Sequence, residues 1–157
     1  MTVTSTTATS YDIVIVGAGS AGIATASSLL KRNGSLRVAL VDPSSDHYYQ
    51  PGWTMVGGGV FEPESTHRKT VDLIPAGVNW IAQSATGFAP DDNSVSLDND
   101  TSLIYGHLVV APGLKLDWNA VEGLEETLGK NGVTSNYRYD LAPYTWQLVK
   151  GLNSGKA

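Results

Sequence analysis

The first forty residues carry two different patterns of apolar positions. A β-branched apolar run at 11–16 stops at a glycine turn, which predicts a buried strand. Residues 20–32 follow helical spacing, with Ile23 among the apolar residues of one face, and two cations close the segment. A second apolar run at 37–41 ends at Asp42. This order predicts a βαβ unit with parallel strands and a right-handed crossover.

The middle of the chain has short apolar runs and no long helical pattern. Residues 78–88 and 94–99 indicate strands that are joined around the turn cluster 90–93. Another buried strand at 103–111 stops at a Pro-Gly pair. We therefore expect a β-meander that returns to the main sheet. The predicted fold class is α/β, with a Rossmann-like parallel sheet, helices and this meander.

The two ends of the chain differ in character. Thr and Ser dominate residues 1–10, which we expect to form a disordered tail. Residues 121–129 favour a short helix, and residues 141–152 place apolar side chains on one helical face. We expect residues 11–118 to form a Rossmann-like domain with the β-meander, and the character of the chain changes over residues 119–157.

Composition narrows the class of function. The 157-residue chain is 41% apolar and 16% charged, as globular domains are, and its net charge of -5 argues against a nucleic-acid partner. It has no cysteine, and its three histidines lack metal-ligand spacing, so we predict no metal site. It shows neither a signal peptide nor the roughly 20 apolar residues that a membrane span needs. We therefore predict a protein that is cytoplasmic or peripheral on the inner membrane face.

The clearest motif is GAGSAG at 17–22, which matches G-x-G-x-x-G. Gly17 permits the tight turn, Gly19 lets the backbone approach a pyrophosphate, and Gly22 lets the helix pack on the strand. The motif opens a predicted helix, whose N-terminal N–H groups would face the anion. Asp42 is placed to accept a hydrogen bond from a ribose hydroxyl, and it would repel a 2′-phosphate. The pattern predicts dinucleotide binding rather than a purely structural turn.

A second motif, LVVAPG at 108–113, favours FAD over NAD as the cofactor. It ends a strand with a small residue and a glycine turn. It resembles the A-T-G motif of flavoproteins with two dinucleotide domains, with Pro112 where threonine is usual. In those proteins the chain returns at this point to the first sheet, beside the flavin.

Residues 11–157 resemble sulfide:quinone oxidoreductase, in the type that heterotrophic bacteria and mitochondria share. The resemblance is carried by the opening YDIVIVGAGSAG, by LIPAGVNWI, and by LVVAPGLKLDW followed by VEGL. Its most specific part is the block HYYQPGWT at 47–54. This block opens the aromatic stretch HYYQPGWTMVGGG at 47–59, which we interpret as a loop against a planar ring system.

The resemblance implies an enzyme that oxidises sulfide with a pair of redox cysteines, passes two electrons to FAD and reduces membrane ubiquinone. The redox cysteines of the family lie beyond residue 157, so we predict no catalytic residue here and interpret the chain as an N-terminal fragment. The resemblance implies that residues 119–157 are the truncated start of a second dinucleotide-type domain. Peripheral membrane contact is expected through parts outside the chain. Gly106 departs from the family pattern, because it replaces a common aspartate before the return strand. Tyr137 occupies the place of an early cysteine that other types carry, which is consistent with the type that lacks it.

The resemblance also assigns residues to parts of FAD. The backbone of Ala85 would meet the adenine, and Gly52 and glycines 57–59 would let the isoalloxazine approach closely. The expected cofactor-binding residues are Gly17, Gly19, Ser20, Ala21 and Gly22 for the pyrophosphate, Asp42 for the ribose, Ala85 for the adenine, Gln50, Pro51, Gly52 and Trp53 near the isoalloxazine, and Ala111, Pro112 and Gly113 closing on it.

Two other functions remain open from the sequence. One is a different FAD- or NAD(P)-dependent oxidoreductase, such as a type II NADH dehydrogenase or a flavocytochrome c sulfide dehydrogenase. The other is a nucleotide-binding module without catalysis.

Overall fold

The elements of this α/β chain follow one another closely. The computed structural model describes residues 9–154. The strands are β1 Thr9–Val16, β2 Val38–Val41, β3 Asp46–Tyr48, β4 His67–Lys69, β5 Val78–Ile81, β6 Ala85–Ala89, β7 Ser94–Leu97 and β8 Ser102–Val110. The α-helices are α1 Ser20–Arg32, α2 Gly52–Gly57, α3 Leu124–Thr127 and α4 Ala142–Lys150.

Six strands form one mainly parallel sheet in the order β5-β2-β1-β8-β7-β6, which confirms the predicted fold class. β1 pairs in parallel with β2 and with β8, while β2 pairs in parallel with β5. Val16 lies opposite both Val41 and Val110, so the three central strands end at one edge of the sheet. β7 pairs antiparallel with β6 and β8, which forms the expected meander.

Both faces of β1 are covered, which explains its unbroken apolar run. Ile13 and Ile15 belong to a buried cluster with Ala26 of α1. Val14 and Val16 face the other way, into a cluster that includes Val95 of β7. Alternate residues of one strand therefore fill two cores, one on each side of the sheet.

The structure corrects the interpretation of residues 78–88 as one strand of the meander. The segment is divided into β5, which extends the parallel sheet, and β6, which belongs to the meander. The chain turns between them, where the Gln83 N–H donates to the Ile81 carbonyl. A continuous run of strand-forming residues does not reveal such a break, because the break is set by the strands on either side.

The predicted tail and the predicted aromatic loop both differ from the structure. Of the predicted tail at 1–10, Thr9 and Ser10 already belong to β1, and residues 1–8 lie outside the described part of the chain. The aromatic stretch 47–59 contains the helix α2 rather than only a loop. Glycine disfavours helix, so α2 depends on tertiary packing, which Trp53 supplies together with Ala142 of α4.

Contacts divide the described residues into two compact units. The first contains residues 9–47 and 69–113, and the second contains residues 48–68 and 114–154. Residues 48–68 thus group with the C-terminal segment, although the sequence places them inside the first domain. The division into domains at 118/119 stays a prediction.

Candidate nucleotide-binding site

A cleft of about 420 Å³ opens in the first unit where β1, β2 and β8 end. In open parallel sheets, ligands bind at the carboxyl ends of the strands. The cleft is lined by Val16, Gly17, Val41, Asp42, Pro43, Ser84, Ala85, Phe88, Val110 and Pro112. Four of the predicted cofactor-binding residues, Gly17, Asp42, Ala85 and Pro112, therefore share one cavity.

The glycines of the 17–22 turn differ in what surrounds them. At Gly17, where φ is +106°, the Cβ of another residue would lie 2.1 Å from the Ala111 carbonyl oxygen. A Cβ at Gly22 would lie 1.8 Å from the carbonyl oxygen of Gly17. A Cβ at Gly19 would have no atom within 4 Å. The packing of the protein thus requires Gly17 and Gly22, whereas the backbone at Gly19 is left open to an approaching ligand.

Asp42 is held by hydrogen bonds at each of its polar atoms. Oδ2 accepts from the Ala18 N–H at 2.7 Å, and Oδ1 accepts from the Ser44 N–H at 2.8 Å. The Asp42 N–H donates to the Ile81 carbonyl. The Asp42 carbonyl accepts a hydrogen bond from the Trp80 indole N–H at 3.0 Å. Each carboxylate oxygen keeps a further lone pair, so the side chain is a pre-oriented acceptor for another hydroxyl.

The carbonyl group of Ala18 is held by a histidine. The Ala18 carbonyl oxygen lies 3.1 Å from Nδ1 of His47 in β3. A carbonyl only accepts, so Nδ1 carries the proton in this contact. Ala18 is therefore tied at its N–H to Asp42 and at its oxygen to His47.

The remaining residues predicted in the first unit lie around the same edge of the sheet. Gly19 precedes α1, and Ser20 and Ala21 are exposed at its first turn. Ala111 follows β8 and donates its N–H to the Val16 carbonyl at 2.8 Å. Gly113 has a φ of +78°, which favours glycine there.

The predicted isoalloxazine residues Gln50, Pro51, Gly52 and Trp53 belong to the second unit. There Trp53 is a core residue with 9% of its surface exposed, and its ring contacts those of Tyr48 and Tyr139. Among the described residues, no partner is found for its buried Nε1. The assignment of these four residues to the isoalloxazine stays a prediction.

Phe88 is a cleft residue that the sequence reasoning missed. Its side chain is half exposed on β6, although it lines the cleft with Pro43 and Ala85. The sequence of β6 does not indicate that Phe88 has a function, because single exposed aromatic residues also occur on ordinary protein surfaces. Only the return of β6 to this edge brings its ring to the nucleotide cleft.

The parallel sheet, the glycine turn after β1 and the acid after β2 define a dinucleotide-binding α/β protein. The sequence profile described as "Pyridine nucleotide-disulphide oxidoreductase" matches residues 11–145. The chain therefore belongs to the pyridine nucleotide-disulphide oxidoreductase family. FAD is the cofactor of this family, as the sequence led us to expect.

The curated relatives include sulfide:quinone oxidoreductases. The chain is 45% identical to the mitochondrial enzyme of Dictyostelium discoideum over 91% of its own length and 32% of that protein. It is 35% identical to the mitochondrial enzyme of Mus musculus, covering 94% of the chain and 33% of that protein. The chain thus spans about a third of the length of these relatives.

A solved structure confirms the fold. The sulfide:quinone oxidoreductase of Aquifex aeolicus matches 91% of this chain and 32% of its own, with a TM-score of 0.70 and 24% identity. Within residues 9–154, no helix has the length and apolar character required to cross a membrane.

Proposed function

We propose that this chain is the FAD-binding N-terminal part of an oxidoreductase that oxidises sulfide and reduces a membrane quinone. The observation that carries the cofactor assignment is the cleft that brings Gly17 of the glycine turn together with the oriented carboxylate of Asp42. The sulfide and quinone assignment is supported by the 45% identity to a named sulfide:quinone oxidoreductase.

The residues of the cleft fit the adenylate and pyrophosphate of FAD. Gly19 leaves room for a phosphate beside the N-terminus of α1, where the helix dipole favours an anion. Asp42 accepts a hydrogen bond from the ribose, and its charge disfavours a 2′-phosphate at that position. The backbone of Ala85 meets the adenine, and Phe88 supplies an apolar wall. Bound FAD would supply the two-electron acceptor.

The remaining predicted residues complete this proposal. Gln50, Pro51, Gly52 and Trp53, together with Ala111 to Gly113, lie near the isoalloxazine. Since this sequence has no cysteine, the pair of redox cysteines that sulfide oxidation requires would have to come from residues outside these 157. Quinone reduction requires contact with a membrane, so we expect peripheral binding to the membrane surface.

Equilibrium titration tests the cofactor assignment. The 157-residue chain is titrated with FAD and with ADP, and flavin fluorescence and competition report the two dissociation constants. Saturable binding of both ligands is expected, and it should weaken in G19A. Because the family contacts FAD with residues outside this chain, we expect weak or no retention of FAD through purification, so binding is measured at equilibrium. Absence of binding by both ligands would contradict the assignment.

The substrates are tested on the complete coding sequence. We expect two cysteines encoded downstream of codon 157, and a purified product that reduces a soluble ubiquinone analogue when sulfide is added. Quinone reduction driven by NADH and not by sulfide would instead support the type II NADH dehydrogenase alternative.

A further inference from the structure

We infer that His47 is a positioning residue for the phosphate-binding turn, an inference that rests on the proposed FAD site. His47 opens the aromatic stretch, yet in the structure its imidazole belongs to the first unit and contacts the glycine turn. Nδ1 donates to the Ala18 carbonyl at 3.1 Å. Ala18 stands between the two glycines that would flank a pyrophosphate.

The geometry of the peptide carries the effect from His47 to Gly19. The Ala18 carbonyl and the Gly19 N–H belong to the same peptide group, and the chain has no cis peptide bond among the described residues. In a trans peptide the C=O and N–H point in opposite directions. By holding the carbonyl toward its ring, His47 turns the Gly19 N–H away from itself.

The N–H that is oriented in this way is available to a ligand. Within residues 9–154, the Gly19 N–H makes no hydrogen bond. The carbonyl of Gly19 accepts a hydrogen bond from the Ile23 N–H at the start of α1. The space where a Cβ would stand at Gly19 is open as well. An N–H with a set direction, beside open space and a helix N-terminus, suits a phosphate oxygen.

Asp42 and His47 divide the support of the turn between them. Asp42 holds the Ala18 N–H at 2.7 Å, which fixes the peptide on the Gly17 side. His47 fixes the peptide on the Gly19 side. Loss of His47 therefore leaves the ribose acceptor in place and loosens only the peptide that faces the phosphate, so pre-organisation of the phosphate contact is lost.

Three substitutions at position 47 test the proposal in the 157-residue chain. H47A removes the donor. H47N keeps a nitrogen donor attached to Cγ, as Nδ1 is, whereas H47Q moves the donor one bond further out to the position of Nε2. We expect H47A and H47Q to raise the dissociation constants of FAD and ADP by about three- to ten-fold, the range of one ordinary hydrogen bond. H47N should restore most of the affinity.

The rescue pattern separates positioning from a general role in folding. Thermal melting accompanies each titration, and a purely structural role would follow melting temperature rather than the place of the donor nitrogen. If H47A does not fold, the comparison of H47N with H47Q still decides the question. Wild-type affinity in H47A or H47Q, or equal losses in H47N and H47Q, would overturn the inference alone. Failure of the wild-type chain to bind both FAD and ADP would overturn the proposed site and this inference together.

Discussion

A Cβ at Gly59 would lie 2.3 Å from Cε2 of Trp146. The backbone of the glycine stretch therefore lies directly against an indole of α4. Similarly, a Cβ at Gly57 would lie 2.4 Å from Oδ1 of Asn136. These two glycines make room for side chains of the protein itself, which explains their presence without a flavin.

Gly59 and Gly58 form a matched pair for testing this packing. Gly59 has a φ of +72° as well as the indole contact, so G59A should lower the free energy of unfolding by about 3 kcal/mol. At Gly58 the nearest atom to a Cβ is 3.5 Å away and φ is -90°, so G58A should change stability by about 0.5 kcal/mol or less. Urea unfolding measures both. Equal effects would contradict the packing explanation.

Two glycines of the turn at 17–22 should have different effects, one on stability and the other on FAD binding. G22A forces a Cβ to within 1.8 Å of the Gly17 carbonyl, so we expect a loss of about 3 kcal/mol in unfolding free energy. G19A meets no protein atom within 4 Å and should fold normally. It should nevertheless weaken FAD binding by about ten-fold, or about 1.4 kcal/mol, because its methyl group occupies the phosphate approach. Wild-type FAD affinity in folded G19A would contradict this.

D42N tests the oriented carboxylate. Both oxygens of Asp42 accept backbone N–H groups, and an amide of the same shape has only one acceptor oxygen. One N–H, of Ala18 or Ser44, should lose its partner at a cost of about 1–3 kcal/mol in unfolding free energy. Thermal unfolding checks this expectation, with D92N in the exposed turn after β6 as the control. A D42N variant as stable as D92N would contradict it.

Acid unfolding should report the contact between Asp12 and Arg37. The Arg37 backbone N–H donates to Oδ2 of Asp12 at 2.7 Å, and this bond, followed by the Arg37 side chain, lowers the pKa of the Asp12 carboxyl below its ordinary 3.8. A carboxyl whose pKa is lower in the folded state stabilises the protein above pH 3.8, and that stabilisation is lost as pH falls through the lower folded pKa.

Two variants separate the effect of the Arg37 side chain from that of its backbone N–H on the pKa of Asp12. D12N should remove this contribution and flatten the loss of stability on acidification. R37A keeps the backbone N–H, which is the larger cause, so it should retain most of the acid sensitivity. Urea unfolding between pH 7 and pH 3 measures the slopes. An R37A slope as flat as that of D12N would show that the side chain dominates instead.

The sequence predicted the parts of the site that depend on local patterns. β1 and α1 agree with the predicted strand at 11–16, the glycine turn and the predicted helix at 20–32. The periodicity of strands and helices is visible in residues that are close together in the sequence. The division of 78–88 into β5 and β6 was not predicted, because it depends on which strand each half pairs with. The contact of His47 with the glycine turn and the place of Phe88 in the cleft were not predicted either, because each brings together residues that are far apart in the sequence.

The sequence by itself determined the βαβ unit, its dinucleotide motif and the resemblance to flavoproteins, since each lies in a short continuous segment. Only the tertiary structure decided what each glycine is for. Gly17 packs against Ala111, Gly59 packs against Trp146, and Gly19 alone of these three faces open space. The sequence does not distinguish these glycines, because the role of each depends on the atoms that the fold brings to the position where a Cβ would lie.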